Sequence, residues 1–527
     1  MSSVAVLSAA EAAAWDRATI DAGVPSRALM QRAGAAAAAE IARRYHDRLG
    51  GGVVVFAGAG NNGGDGWVVA RALAAAGVSV RVVEVEEPRT DDARAERALA
   101  LRVLGEHPPA GTETLIVDGV LGTGARGVPR GAAAEAIGRM NALGDGGAAV
   151  IALDVPSGLD ATTGEAGLAV TADLTFTFGA VKRGHLVARD RCGAIVVLDI
   201  GLDGSAAGAA PLLIDSRWVR PRVPPIAADA HKGTRRRLAI VGGTMGMLGA
   251  SVLAGRAALR SGIGMVRLVV TPEGLPHVQA SAPEMLAQAW PDDDGDVGAA
   301  ISDWADVVAI GPGLGRSSAA RALVERVLRG WRGPVVLDAD ALNVFEGEAG
   351  ALGALLAGRP ALVTPHPAEC ARLTGTDVAT VLARRFEIGT ELAREIGAAV
   401  LLKGVPTVIA SASGERLVSA AGTPALAVAG SGDLLAGIAA TLLGQAAGMA
   451  VAGGRAACAA EAGACAAWIH GRAAEIAGAG RLVRGVTLEH ILQALSEAWM
   501  PPSELPIYPV LAELPVVGER WRSGEPS

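Results

Sequence analysis

The sequence predicts an α/β protein of two tandem domains, each a largely parallel sheet covered by helices. Three observations carry this. The chain has 527 residues, and since a domain takes roughly 150, a single small module is excluded and two large domains fit. Hydrophobic residues make up 51% and charged residues 19%, far from the composition of chains that cannot bury enough surface to fold. Short β-branched runs recur along both halves, each followed by a Gly-rich turn and an Ala-rich helical stretch, as in parallel sheets with helical crossovers.

In the first half the expected strands are Val53 to Phe56, Val78 to Val85, Thr114 to Asp118, Ala149 to Asp154 and Leu174 to Phe178. The second half repeats the pattern at Leu238 to Val241, Met265 to Val270, Val307 to Gly311, Val335 to Asp338, Ala361 to Thr364 and Val400 to Lys403. Between them, Trp218 to Ala230 carries Pro221, Pro224 and Pro225, which disfavour regular structure. The domains are therefore expected at 1–219 and 220–500, followed by a proline-rich tail at 501–527 lying over the surface. Leu434 to Gly454 has no charge and is long enough to cross a bilayer. It is rich in Ala and Gly and follows a polar loop, so a buried helix broken near Gly444 is expected.

Net charge is −7, with no basic block, so neither a nucleic acid nor a membrane is an expected partner. Cys192, Cys370, Cys458 and Cys465 are too scattered for a disulfide framework and form no CxxC pair. Met1 to Asp16 does not read as a signal peptide. A cytoplasmic protein acting on small molecules is the expectation. Ala- and Gly-faced helices permit close packing between chains, and a homo-oligomer is expected.

Only three of the 47 basic residues are lysine, at 182, 232 and 403, each within two residues of a glycine. A lysine kept in an arginine-dominated chain marks a place where a compact, titratable ammonium is needed. At least two are expected to be functional.

The first chemical constellation follows strand Val53 to Phe56. Gly58, Gly60 and Gly63 satisfy GxGxxG between a strand and a helix, with Glu84 as a possible ribose ligand. Asp65 would sit near the helix N-terminus, where it would repel a pyrophosphate or serve as a cap. Polar groups also follow three other strands: Asp118 before Gly122 to Gly127, Asp154 before Ser157 and Asp160, and Thr177 before Lys182 and His185. Ligands in open parallel sheets bind beyond the carboxyl ends of the strands, so these loops should converge. Asn62, Asp118 and Ser157 are hard oxygen donors suited to an alkali or alkaline-earth cation.

The run Asn61 to Gly66, with Gly122-Thr-Gly-Ala-Arg-Gly127, Asp154-Val-Pro-Ser-Gly-Leu-Asp160 and Phe178-Gly-Ala-Val-Lys182, resembles the NAD(P)H-hydrate epimerase domain over residues 8 to 215. The resemblance implies a Rossmann-like doubly wound sheet. It implies hydrate contacts from Asn61, Asn62, Gly63, Gly64 and Asp65, from Gly122, Thr123, Gly124, Ala125, Arg126, Gly127 and Val128, and from Asp154. It also implies a potassium ion held by Asn62, Asp118 and Ser157. Epimerisation needs acid and base groups at the hydroxylated ring carbon, and Asp154 and Lys182 are the candidates.

In the second half no lysine follows a glycine, so a P-loop is ruled out. Ala429-Gly-Ser-Gly-Asp433 opens a long helix. Its N–H groups suit a transferring phosphoryl group, and Asp433 is placed to take a proton from an attacking hydroxyl. A capping aspartate is the bland alternative. Lys403 to Thr407 would supply a phosphate ligand and an adenine-side wall. Asp338, Asn343 and Glu369 are candidates near Mg²⁺ or its waters, with helix capping an equal competitor. His366, between two prolines, is expected to contact a ligand.

These residues, with Gly242-Gly243, Gly249-Ala250 and Gly311-Pro-Gly313-Leu-Gly315, resemble the ribokinase-like fold, and within it the ADP/ATP-dependent NAD(P)H-hydrate dehydratases, over residues 226 to 497. That resemblance implies that Ala250, Gly313, His366 and Asp433 meet the hydrate, and that Lys403, Gly404, Val405, Pro406, Thr407 and Gly432 bind ADP or ATP. The substrates would be hydrated NADH and NADPH (NADHX and NADPHX). Where relatives carry Gly-Gly-Thr-Gly-Asp and Asn-Pro-Gly-Met, this chain has Ala429-Gly-Ser-Gly-Asp433 and Thr423-Pro-Ala-Leu426. Two rivals remain: a small-alcohol kinase fused to an NAD-binding domain, and a chain in which one half is only a binding module.

Overall fold

The computed structural model describes residues 4–105, 110–202, 209–290, 301–453, 459–500 and 506–518. It divides the chain into one unit of residues 1–213 with 504–527 and a second of 214–503. The division falls a few residues before the expected 219/220. The proline-rich joint is not wholly irregular, because Asp215 caps a short helix at Ser216–Val219 and a 3-10 turn follows at Arg220–Arg222.

The first unit contains β1 (Val4–Leu7), β2 (Val53–Ala57), β3 (Val80–Glu84), β4 (Leu115–Gly119), β5 (Ala149–Leu153), β6 (Leu174–Phe178), β7 (Val181–Lys182), β8 (Ala194–Leu198) and β9 (Leu212–Leu213). Six of these form a parallel sheet in the order β8-β6-β5-β4-β2-β3. Every residue of β2, β4, β5 and β6 is buried; β2 and β5 therefore read as continuous apolar runs, whereas β6 alternates Thr with Leu and Phe although both its faces are covered. Two cores share them: Val53, Val55, Leu115 and Val117 face one, and Val54, Phe56 and Ile116 face the other. Strand order reverses between β2 and β4, and a crevice opens at the carboxyl end of such a switch point.

The second unit contains β10 (Arg237–Val241), β11 (Met265–Val270), β12 (Leu286–Ala289), β13 (Val307–Ile310), β14 (Val335–Leu337), β15 (Ala361–Val363), β16 (Ala399–Leu402), β17 (Thr407–Ala410) and β18 (Arg416–Ser419). They run in the order β12-β11-β10-β13-β14-β15-β16-β17-β18. Pairing is parallel from β12 to β16 and antiparallel from β16 to β18.

The uncharged stretch lies within one helix, Ser431–Gly453, with Gly454 outside the described residues. The expected break at Gly444 is absent. A Cβ there would come within 2.6 Å of Val307 Cγ1, and one on Gly437 within 2.0 Å of the Ala254 carbonyl oxygen. The glycines serve close approach to β13 and to helix Leu248–Arg260, not flexibility. Among the described residues no helix is long and apolar enough to cross a membrane.

The proline-rich tail, expected to lie over the surface, supplies β19 (Val510–Leu514), antiparallel to β8. The two oxygens of Glu513 accept from Arg44 Nη1 and Nη2 at 2.9 and 2.8 Å. Pairing covers an edge that would otherwise expose unpaired backbone groups. Cys192, Cys370 and Cys465 are buried thiols not joined in disulfides, and Cys458 lies outside the described residues.

Candidate functional site

A cavity of about 810 Å³ lies at the carboxyl ends of β2 and β4, where the sheet order reverses. Of the expected hydrate contacts, Asn61, Asn62, Asp65, Gly122, Thr123, Gly124, Ala125, Arg126 and Asp154 line it. Gly63, Gly64, Gly127 and Val128 do not. Gly63 packs behind the loop, where a Cβ would meet the Gly58 carbonyl oxygen at 1.9 Å, and Gly64 packs against Met30. Val128 points outward at 64% exposure. Gly58 is fixed by packing as well, since its Cβ would sit 2.0 Å from the Val120 carbonyl oxygen, whereas Gly60 is open and lines the cavity. Asp65 is not a cap: Gly60 is the N-cap of helix Asn61–Ala75, and Asp65 faces the cavity. Glu84 is ion-paired to Arg97 and does not line the cavity.

Asp154, the residue after β5, has φ +61°, and Ala339, two residues past β14, has φ +49°. Both residues hold a left-handed backbone rare outside glycine, the kind of strain that gathers at functional sites. Asp154 Oδ1 takes Lys182 Nζ at 2.5 Å, Thr177 Oγ1 accepts from the same ammonium at 2.8 Å, and Thr123 N–H donates to Asp154 Oδ2 at 3.4 Å. Burial pushes the Asp154 carboxyl up, but the Lys182 charge and hydrogen bond outweigh it and hold the group below the usual carboxylate range. Asp65 has no such cation in contact. Burial and the charges of Asp154 and Asp16 push it well above that range. His185 is fully buried, accepts from Lys182 N–H at 3.3 Å, and is held to about 3 chiefly by burial.

Beneath the cavity floor, Asp118 and Ser157 are inaccessible to solvent. Ser157 N–H and Oγ–H donate to the Asp118 carboxylate at 2.8 and 2.6 Å, and Val120 N–H donates at 3.2 Å. All three donors are neutral, and burial raises this carboxyl to about 6. Asn62 donates through Nδ2 to the Leu121 carbonyl at 3.0 Å, while its buried Oδ1 has no hydrogen-bond partner. A buried carboxylate without a counter-ion and an orphaned carbonyl oxygen fit a bound monovalent cation.

In the second unit Asp433 is the third residue of helix Ser431–Gly453. A Cβ on neighbouring Gly432 would lie 3.5 Å from Lys403 Nζ and 4.0 Å from Asp338 Oδ2. Lys403 Nζ reaches Asp338 Oδ1 at 2.7 Å and Glu369 Oε2 at 3.5 Å, and Thr364 Oγ1 donates to Asp338 Oδ1 at 2.8 Å. Burial pulls the Lys403 ammonium down, but the two carboxylates prevail and raise it. Burial and the nearby carboxylates, Asp338 foremost, push Asp433 up to about 7 despite Lys403. The two lysines in the sites are buried or nearly so, whereas Lys232 is exposed in a turn.

Asn343 does not join this cluster. Its Nδ2 donates to Asp340 Oδ1 at 3.2 Å and its Oδ1 accepts from Arg372 at 2.9 Å, so its amide is committed to a neighbouring loop. His366 is the N-cap of helix Pro367–Thr374, its Nδ1 accepting from Ala368 and Glu369 N–H at 3.1 and 3.3 Å, with the side chain half-exposed. Gly313 has φ +63° and would place a Cβ 2.3 Å from the Met247 carbonyl oxygen, and Ala250 lies in the first turn of helix Leu248–Arg260. Val405 is exposed, and Thr407 Oγ1 donates to the Gly404 carbonyl at 3.0 Å. Pro406 lies between them in the loop linking β16 to β17.

Asp16, on helix Ala9–Asp21, also lines the first cavity, and sequence reasoning missed it. Ala12, Trp15, Asp16 and Thr19 follow the i, i+3, i+4, i+7 spacing of a core-facing stripe. A charge in such a stripe was the available signal.

Known families match both units. The family described as NAD(P)H-hydrate dehydratase matches residues 238–497, and the one described as YjeF-related protein N-terminus matches residues 26–184. The bifunctional NAD(P)H-hydrate repair enzyme Nnr of Moorella thermoacetica is 36% identical over 474 residues, covering 84% of this chain and 88% of that protein. The enzyme of the same name from Escherichia coli is 36% identical over 438 residues, covering 79% and 80%. The crystal structure of ADP/ATP-dependent NAD(P)H-hydrate dehydratase from Bacillus subtilis, co-crystallized with ATP/Mg²⁺, aligns at 28% identity and a TM-score of 0.46, covering 54% of this chain and 96% of that one. Two family matches in tandem and full-length relatives above one-third identity lead to one conclusion: this chain belongs to the bifunctional NAD(P)H-hydrate repair enzymes.

Proposed function

We propose that the first unit interconverts the R and S epimers of hydrated NADH and NADPH, and that the second dehydrates the S epimer at the expense of ADP or ATP. Asp433 carries this reading. It is a carboxyl poised to titrate near neutrality, at a helix N-terminus beside a lysine. There it takes the proton of the ring hydroxyl as that oxygen attacks the terminal phosphorus, and the nucleotide leaves one phosphate shorter. N–H groups at the start of the helix and Lys403 stabilise the charge on the moving phosphoryl group. The resulting ester is a good leaving group. Loss of phosphate with a proton from the adjacent ring carbon restores the dihydronicotinamide.

Mg²⁺ would neutralise charge on the nucleotide phosphates. Among the described residues no group of three or more acidic, histidine or cysteine side chains forms a metal cage. Such an ion would be brought by the nucleotide phosphates and keep several waters, and Asp338 and Glu369 would be the carboxylates to hold those waters. In the first unit Asp154 and Lys182 act on the hydroxylated ring carbon, and Asn62, Asp118 and Ser157 would hold K⁺, which supplies the positive charge missing beneath the cavity. Asn61, Thr123, Gly124, Ala125 and Arg126 line the space for the nucleotide. The kinase rival differs in product, because it would accumulate a stable phosphate ester.

Incubation with mixed hydrate epimers, nucleotide and Mg²⁺ tests the reading. Absorbance at the reduced-nicotinamide band should rise to full conversion, with one inorganic phosphate released per NAD(P)H formed. A phosphorylated organic product without the absorbance rise would refute it.

A further inference from the structure

We propose that Asp65 is the acid partner of Asp154 in opening and closing the hydrate ring. This rests on the epimerase reading of the first cavity and adds a third group to Asp154 and Lys182. Among the ionisable groups that line the space are Asp16 from helix Ala9–Asp21, Asp65 from helix Asn61–Ala75, Asp154 after β5, and Lys182 on β7, with Glu86, Arg89, Asp92 and Arg126 also on the lining. Arg17 lies at the lining beside Asp16, and His185 lies buried behind Lys182.

Lys182 is committed. Its ammonium binds Asp154 and Thr177, which leaves Asp154 as the carboxylate with a permanent counter-ion. Asp65 is only 9% exposed and lines the same cavity, and its carboxyl makes no hydrogen bond or ion pair with the described residues. A buried carboxyl with no partner is costly unless it stays neutral or meets a ligand. Its helical neighbours show that this is not idle packing, since Gly63 and Gly64 abut backbone and Met30 whereas Asp65 faces the open space. Two carboxyls in one cavity thus sit in opposed environments, Asp154 in contact with the Lys182 ammonium and lowered by it, Asp65 without such a contact and raised by burial and by the charges of Asp154 and Asp16. Divergent environments of this kind separate an acid from a base.

The chemistry balances. Asp154 takes the proton of the ring hydroxyl as the carbon–nitrogen bond breaks and a carbonyl forms. The bonding pair moves to the ring nitrogen, which receives the Asp65 proton. Bond rotation and attack of that nitrogen on the other carbonyl face give the opposite epimer, with the proton returning to Asp65 and the hydroxyl recovering the proton held by Asp154. No oxidant or co-reactant is consumed.

Asp65→Asn tests this, because the amide matches the shape of the neutral acid but cannot deliver a proton. It adds no buried charge, so folding should survive. A single purified epimer is incubated without nucleotide, and the appearance of the other is followed by chromatography. Epimerisation kcat should fall about 10²–10⁴-fold with KM within about threefold, while nucleotide-dependent dehydration of the S epimer stays unchanged. Asp65→Glu, which retains a proton, should recover part of the rate. Unchanged kcat in Asp65→Asn, or a rise in KM alone, would overturn the proposal. Absence of epimerisation in the unaltered protein would instead sink the epimerase reading on which it rests.

Discussion

Replacing Asp433 with Asn should make the second unit more stable and nearly inactive at once. The carboxyl titrates at 3.8 when unfolded and at about 7 when folded. The folded state therefore binds the extra proton between those values, and stability falls as pH rises from about 4 to 7. Three pKa units correspond to at most about 4 kcal/mol against the ionised folded state. Partial exposure of the side chain trims this to about 1–3 kcal/mol. Calorimetric unfolding should thus show the variant more stable than the parent by that amount at pH 8, with the gap closing by about pH 4. Turnover should fall about 10²–10⁴-fold with nucleotide binding retained. In the parent, kcat/KM should drop about tenfold per pH unit below about 7, as the base is protonated. A variant no more stable at pH 8, a gap independent of pH, or retained turnover would refute the reasoning.

Two further outcomes follow from the first unit. Exchanging choline for K⁺ at constant ionic strength should raise its unfolding temperature, by about 2.7 kcal/mol of stabilisation at a hundred times the dissociation constant, and Asn62→Leu should abolish the increment. Equal melting in both salts would contradict the cation cradle of Asn62 and Asp118. Removing residues 504–527 strips β19 from β8 and the Glu513 carboxylate from Arg44, so light scattering should show self-association through the bared edge. A monodisperse truncated protein of unchanged melting temperature would contradict that role.

Most parallel core strands were legible because they are buried on both faces and read as unbroken apolar runs. One core strand, the apolar Ala194–Leu198, escaped notice although it carries the same signal; others that escaped are short. Val181–Lys182 has two residues, and Arg416–Ser419 and Val510–Leu514 interleave polar residues. The glycine motifs located both sites, but their spacing does not reveal which glycines face a ligand. Gly58 and Gly60 line the cavity, but Gly58 and Gly63 are also required by neighbouring carbonyls whereas Gly60 is open. Rarity marked Lys182 and Lys403, yet their carboxylate partners Asp154, Asp338 and Glu369 are set by tertiary pairing. Asn343, weighed equally as a group near Mg²⁺ and as a helix cap, has its amide bound to Asp340 and Arg372, which spacing alone does not reveal.

Complementation between two crippled chains tests most directly whether separate centres act in succession. Lys182→Met should leave an epimer mixture stalled once its S form is consumed, under conditions where the spontaneous exchange is slow, and Asp433→Asn should produce no NAD(P)H. An equimolar mixture of the two should carry the whole pool to NAD(P)H, because the substrate diffuses between units. A mixture that stops where Lys182→Met stops would contradict the assignment of the two centres.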